Sequence, residues 1–331
     1  MSNRLVGITL VTLILAFVHP AAAQQPRKVA RLGYLDPSTE SAVEDFLDAF
    51  RQELRKLGWV EGKNITIEYR FAEQKLDRLP ELAAELVRQK VDLIVVGTGQ
   101  TPLAAKKATS TIPIVMRTSV DPVGAGLIAS LARPGGNVTG LSGLAPELNT
   151  KRLEILKDTI PRLSRVGLLL TPASTVSITG GLQLKELRAA ALALKLKLDE
   201  IKTEPNAKDL ESAFQTAKQK KVGAIMTFPG SRMFTERKRI VELAVKHRLP
   251  AMYSNKGYVD EGGLMFYGAD IADDSRRVAW YVDKILKGAK PADLPVQQAT
   301  KFEFIINLKA AKQIGLTIPV RLLERANRVI K

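Results

Sequence analysis

His247 is the one histidine of this chain outside its first two dozen residues, and the chain has no cysteine. That shortage decides which chemistries the sequence can support. A Ser-His-Asp device would have to run through His247, which lies in the polar end of a helical pattern beside Arg248, and no GxSxG turn is present. The favourable field at a helix C-terminus explains a histidine in that place. Metal centres built from His or Cys clusters fail on the same count, so no metal is expected. No GxxxxGK phosphate loop occurs, and Gly97-x-Gly99 lacks the third glycine of a dinucleotide fingerprint, so no cofactor is expected. The 34 acidic residues allow many carboxylate pairs, and nothing in the sequence selects one for hydrolysis. The chain offers instead hydroxyl, amide, carboxylate and phenol groups at the ends of apolar runs. That chemistry suits holding a small molecule.

The apolar runs alternate with helical patterns, the signature of parallel sheets covered by helices. Val29–Leu35 reads as a strand, after which Val43, Phe46, Leu47, Phe50, Leu54 and Leu57 recur at helical spacing until Gly58 closes the helix. Strands at Ile65–Tyr69, Leu93–Val96 and Ile114–Met116 follow, with helices over Asp77–Gln89, Pro102–Ala108 and Val123–Leu131. Arg133–Asn137 turns sharply, and a crossing between two units is expected near Val138–Leu141. The rhythm then repeats, with strands at Val166–Leu170, Leu198–Ile201, Ala224–Thr227, Ala251–Tyr253 and Leu264–Tyr267. Periodicity alone predicts doubly wound α/β. With 45% apolar and 25% charged residues, a chain of this length can bury two cores.

In open α/β sheets, ligands bind outside the carboxyl ends of the strands, where loops present side chains and helix N-termini present free N–H groups. Reading those ends in order yields the candidate site. Tyr34 ends the first strand and can stack on a ligand or pack against its own loop. After the third strand, Thr98, Gly99 and Gln100 combine close backbone approach with donors at a helix start, where Thr101 serves equally as a cap. Ser119 and Asp121 follow the fourth strand; Asp121 before Pro122 reads foremost as a helix N-cap, leaving Ser119 the better ligand contact. Ser142, at the crossing, either touches ligand or satisfies hinge backbone. In the second unit Ala173, Ser174 and Pro229 occupy equivalent loops. Tyr253, Tyr258 and Tyr267 favour an aromatic-lined cleft over core packing, and Asp270 either pairs with a ligand amine or caps the following helix.

The first residues address location. Arg4, the apolar run Leu5–Val18 and the small residues Ala21–Ala23 form a secretory signal peptide over 1–23, with a mature start at Gln24. The run is shorter than the roughly 20 residues a membrane-spanning helix needs. Without cysteine there is no thiol for lipid attachment, so the protein is expected free in the periplasm of a two-membrane bacterium. The net charge of +16 is scattered through helices, its densest run being Arg237-Lys238-Arg239 beside Glu236 and Glu242. Export and an aromatic content of 5% argue against nucleic acid as a partner, while a positive field can concentrate an anionic ligand.

The stretch Tyr281–Pro319 resembles the C-terminal region of a family of bacterial ABC transporter substrate-binding proteins, one with members linked to transport of tryptophan and other aromatic amino acids. The segments PAMY (250–253), EGGLMFYGAD (261–270) and DPVGAGLIASLARPGGNVTGLS (121–142) carry the same similarity. The resemblance implies two doubly wound parallel-sheet lobes joined by three crossover segments, the class I periplasmic binding protein fold. It places 24–140 plus 270–297 in one lobe and 141–269 plus 298–331 in the other. It also implies a non-enzymatic receptor that closes on an amino acid or other small carboxylate, for which monomer is the default expectation of a shuttling protein. Its partner would be an ABC permease in the inner membrane or, alternatively, a membrane sensor kinase. Thr171 stands where the family usually has asparagine, Gly99 and Gln100 depart from its usual apolar residue or proline, and an aspartate common near 229 or 230 is missing.

Overall fold

The computed structural model describes residues 29–331 except 98, 119, 120, 144 and 177. Two sheets organise them. The first contains β1 (Ala30–Asp36), β2 (Ile65–Phe71), β3 (Leu93–Val96), β4 (Ile114–Thr118), β5 (Val138–Ser142) and, from far along the chain, β11 (Gln297–Gln298). The second contains β6 (Arg165–Leu170), β7 (Lys197–Lys202), β8 (Ala224–Thr227), β9 (Ala251–Tyr253), β10 (Met265–Ala269), β12 (Phe302–Asn307) and β13 (Arg328–Ile330). The chain therefore passes between the sheets three times, after β5, after β10 and after β11.

Strand order is β11-β5-β4-β3-β1-β2 in the first sheet and β13-β12-β10-β9-β8-β6-β7 in the second. The first five strands of each are thus arranged 2-1-3-4-5, with the order reversing beside the first strand. Pairing is parallel throughout except between β10 and β12, where Gly268 faces Glu303 in antiparallel register. Both segments at that pair run to or from the first sheet, which turns the returning strand around.

Burial on both faces explains the continuous apolar runs. From β1, Leu32 and Tyr34 pack on Phe46, Phe50, Val278 and Tyr281, whereas Leu35 packs on the opposite face with Leu79, Leu82 and Leu86. Each fully buried side chain of this size stabilises the fold by about 1.5–3 kcal/mol. The helix Glu44–Lys56 has acids in its first turn and bases in its last, complementing its dipole, and buries the stripe Phe46, Leu47, Phe50 and Leu54. The helix Ile271–Leu286 is capped by Asp270, whose Oδ1 accepts from Asp273 N at 3.0 Å. It docks on the first sheet's unit: Trp59 Nε1 donates to Asp283 Oδ1 at 3.0 Å, and Ser275 Oγ donates to the Phe46 carbonyl at 3.3 Å.

Two local expectations give way. Residues 123–131 form a turn followed by bends, with Leu127 N and Ile128 N both donating to the Pro122 carbonyl, because Gly124 and Gly126 interrupt the apolar spacing and Gly126 adopts φ +68°. Val138–Ser142 is a full strand of the first sheet and not yet a crossing. Gly140 permits this: at φ +126°, a Cβ there would lie 2.2 Å from the Met116 carbonyl oxygen.

Candidate functional site

At the carboxyl edge of the first sheet, side-chain alternation puts Tyr34 and Asp36 of β1 and Arg117 of β4 toward the helices Glu44–Lys56 and Ile271–Leu286. Asp36 is 2% exposed and fully engaged: Ser38 N donates to Oδ1 at 2.9 Å, Ser38 Oγ donates to the same oxygen, and Tyr34 OH donates to Oδ2 at 3.3 Å. Burial pushes its carboxyl up, and the Ser38 hydrogen bonds, together with Arg117, pull it back. Gly97 at the end of β3 makes room for it, since a Cβ there would sit 2.0 Å from Asp36 Oδ2. This is the point beside β1 and β3 where the strand order reverses.

Arg117 is half-buried and lies over Phe46, its guanidinium carbon 4.3 Å from the ring centroid. Its Nε is buried without a hydrogen-bond partner, and among the described residues no carboxylate comes within 4.0 Å of it. Across from it, in the first turn of the helix Ile271–Leu286, Asp274 is also half-buried; among the described residues it accepts no side-chain bond and has no cation within 4.0 Å. Burial pushes the Asp274 carboxyl up, with Arg117 and then Arg277 opposing. The adjacent charges are occupied. Asp273 faces Arg276 at 2.7 Å, Lys301 at 3.6 Å and Arg277 at 3.7 Å, while Arg277 donates twice to Gln297 Oε1 at 2.9 and 2.8 Å.

The second sheet presents its own edge. Thr171 and Ser174 hydroxyls share a hydrogen bond of 2.8 Å beyond β6, and Thr227 Oγ1 accepts from Ser254 N at 3.0 Å, joining the ends of β8 and β9. Beneath them lies Arg152, only 4% exposed, with no acidic partner among the described residues. Its Nε donates to the Tyr267 carbonyl at 2.7 Å, one terminal nitrogen to Asn149 Oδ1 at 2.8 Å and the other to the Ser254 carbonyl at 3.4 Å. Burial lowers this guanidinium to about 10. The two edges meet where the turn Glu40–Ala42 contacts the helix Ser231–Thr235 and where Asp45 Oδ2 lies 3.8 Å from Lys256 Nζ.

Several expected site residues have a settled local role. Tyr34 sits in an aromatic group with Phe46, Tyr69 and Phe71 and is 1% exposed. Tyr253 and Tyr258 stack on one another at 4.7 Å in the core of the second unit, each 1% exposed, so neither ring lines a cleft here. Tyr267 is partly buried against Phe302 and Phe304. Asp121 is exposed and its Oδ1 accepts from Val123 N at 3.0 Å in a turn rather than capping a helix, since no helix follows it directly, and Asp270 is a helix cap. Gly99 takes φ +72°, Gln100 and Ala173 are exposed, Pro229 is half-buried and Ser142 is buried at the end of β5. Thr98 and Ser119 lie outside the described residues. Arg117 and Asp274 were missed by reading strand ends. The available signal is a lone arginine directly after the apolar run Ile114–Met116, since charge inside a buried strand is rare unless paired.

Two doubly wound sheets whose switch-point edges face each other define a class of two-unit small-molecule receptor. The ABC transporter substrate binding protein family model matches residues 36–330, and the chain belongs to that family. It is 28% identical over 283 residues to a tyrosine-binding protein of Clostridioides difficile (strain R20291), covering 85% of this chain and 78% of that one. A conserved domain protein from Vibrio cholerae superposes with a TM-score of 0.81 at 29% identity, covering 91% of this chain and all of that one. An ABC domain in complex with L-Trp from Streptococcus pneumonia superposes with a TM-score of 0.79 at 26% identity, covering 91% of this chain and 99% of that one. Among the described residues no helix is long and apolar enough to cross a membrane.

Proposed function

We propose that this protein is the exported receptor of an ATP-driven importer: it closes on a small amino-acid-like molecule between its two units and presents the closed form to a membrane permease without altering the ligand. One observation carries the reading. The carboxyl edges of both sheets, each at a strand-order reversal, are held against each other by the contact of Glu40–Ala42 with Ser231–Thr235 and by Asp45 with Lys256. A ligand between those edges touches both units, and such a ligand binds the closed arrangement better than the open one, which is the requirement for driving closure. The three passes between sheets are the natural hinge segments. The tyrosine-binding relative and the tryptophan-bound neighbour support an aromatic amino acid as the ligand. The stretch 1–23 fits a cleaved export signal, which puts the receptor in the periplasm.

The test is a thermal-shift screen of the protein from Gln24 onward against amino acids, aromatic acids, sugars and nucleosides, followed by calorimetry and recovery of the ligand. A ligand bound only by the native state raises apparent stability by about 2.7 kcal/mol at a hundred times its Kd. A tight hit recovered chemically unchanged is the expected result. Conversion of the hit to product would replace the receptor with an enzyme.

A further inference from the structure

We propose that Arg117 and Asp274 are the two poles of the ligand site, Arg117 taking a carboxylate and Asp274 an ammonium group of one zwitterionic molecule; this assignment rests on the receptor reading above. The argument is one of elimination among the charges at the edge of the first sheet. Asp36 is satisfied by Ser38 and Tyr34 and Asp273 by three cations, while Arg277 donates twice to Gln297 and pairs with Asp273 at 3.7 Å, its Nη1 alone lacking a hydrogen bond. Among the described residues, Arg117 and Asp274 alone of these groups have neither an ion pair nor a side-chain hydrogen bond, and they have opposite sign. Arg117 is near enough to lower the Asp274 carboxyl, yet the two stand more than 4.0 Å apart. Each is fixed by its own element: Arg117 by the Phe46 ring under its guanidinium, and Asp274 by the first turn of the helix Ile271–Leu286.

Leaving two half-buried opposite charges unpaired is costly, because each has lost water without gaining a partner. A ligand carrying both charges on neighbouring atoms removes both costs at once. The guanidinium offers a planar fork that matches a carboxylate, and the aspartate accepts from an ammonium. A sugar or nucleoside supplies no such pair. The rival role for Arg117, a counter-charge to buried Asp36, leaves Asp274 unexplained and predicts no dependence on ligand charge.

The experiment compares affinities for paired ligands within each variant, so that any loss of folded protein cancels. Calorimetry uses the amino acid that binds wild type most tightly, its amide, which lacks the carboxylate, and its des-amino acid, which lacks the ammonium. For tryptophan these are tryptophanamide and indole-3-propionate. Wild type should prefer the amino acid over each analogue by about 10- to 100-fold. In Arg117→Met the preference over the amide should collapse toward unity, with the preference over the des-amino acid retained. Asp274→Asn should do the reverse. If Arg117→Met does not fold, Arg117→Lys keeps the charge without the fork and should give an intermediate ratio. Unchanged ratios in both variants would overturn the assignment while leaving the receptor intact, as would a wild type that binds only sugars or nucleosides. A wild type that binds none of these small molecules would overturn the receptor reading, and the assignment with it.

Discussion

Asp274 carries its charge in a half-buried position where burial raises its carboxyl and Arg117 lowers it only in part. The sign of the consequence follows from linkage. A folded-state value raised above the unfolded one means that protonation favours the fold, so stability is full below the ordinary carboxylate range and declines as pH rises through the folded value. Asp274→Asn removes that penalty. The variant without ligand should therefore melt higher than wild type at neutral pH, by an amount on the order of 1 kcal/mol, and the difference should vanish in acid. Melting curves across pH, on ligand-stripped protein, check this. A variant less stable than wild type at pH 7 would show that Asp274 already has a stabilising partner. The same substitution weakens binding of an amine-bearing ligand, so stability and function separate at one atom.

At the scale of elements, Arg152 joins three that are remote in sequence: its own helix Ala145–Thr159, the end of β9 through the Ser254 carbonyl, and β10 through the Tyr267 carbonyl. Replacement by Met fills similar volume and removes a buried charge, but leaves those acceptors and Asn149 Oδ1 without their donor. The loss of acceptor pairing should dominate, with Arg152→Met destabilising by roughly 2–3 kcal/mol in denaturant unfolding. An unchanged midpoint would mean that water replaces the guanidinium. Gly140 is a second such point, because β5 approaches β4 so closely that a side chain has no room. Gly140→Ala should cost at least about 3 kcal/mol, through a strained φ and a clash with the Met116 carbonyl, and is expected to reduce soluble yield as well as the thermal midpoint. The expected helix over 123–131 failed for a related reason. Its apolar residues do recur at helical spacing, and Leu127 and Ile128 are buried, but two glycines let the backbone turn back on Pro122 instead.

Considered whole, the molecule is two sheets held edge to edge, and the ion pair of Asp45 with Lys256 spans the gap. Asp45 is largely exposed, so the pair contributes little, up to about 1 kcal/mol, and is screened by salt. Asp45→Asn should weaken ligand affinity by no more than about fivefold, and less at high ionic strength, while small-angle scattering shows a larger share of extended molecules without ligand. A hundredfold loss would make this contact a central determinant of closure rather than a trim on it.

How much was legible in advance follows the range of the interactions. The alternation of apolar runs with helical stripes, the cap at Asp270 and the loops at strand ends are written within a few residues of each other, whereas Asp121, read as a helix cap, holds a turn because the helix it would cap does not form. The chain by itself therefore determined an α/β architecture, and the residues of its C-terminal block pointed to the family. Tyr253 and Tyr258 were equally visible as tyrosines at a strand end and its following loop, yet whether their rings faced ligand or core depended on how Phe234 and the helix Arg237–Lys246 packed against them. Arg117 and Asp274 come from segments far apart in the chain. A charge is left unpaired only after every neighbour has chosen its partner, and that choice is made by packing between remote elements, so only the tertiary structure decided which charges remain at the cleft.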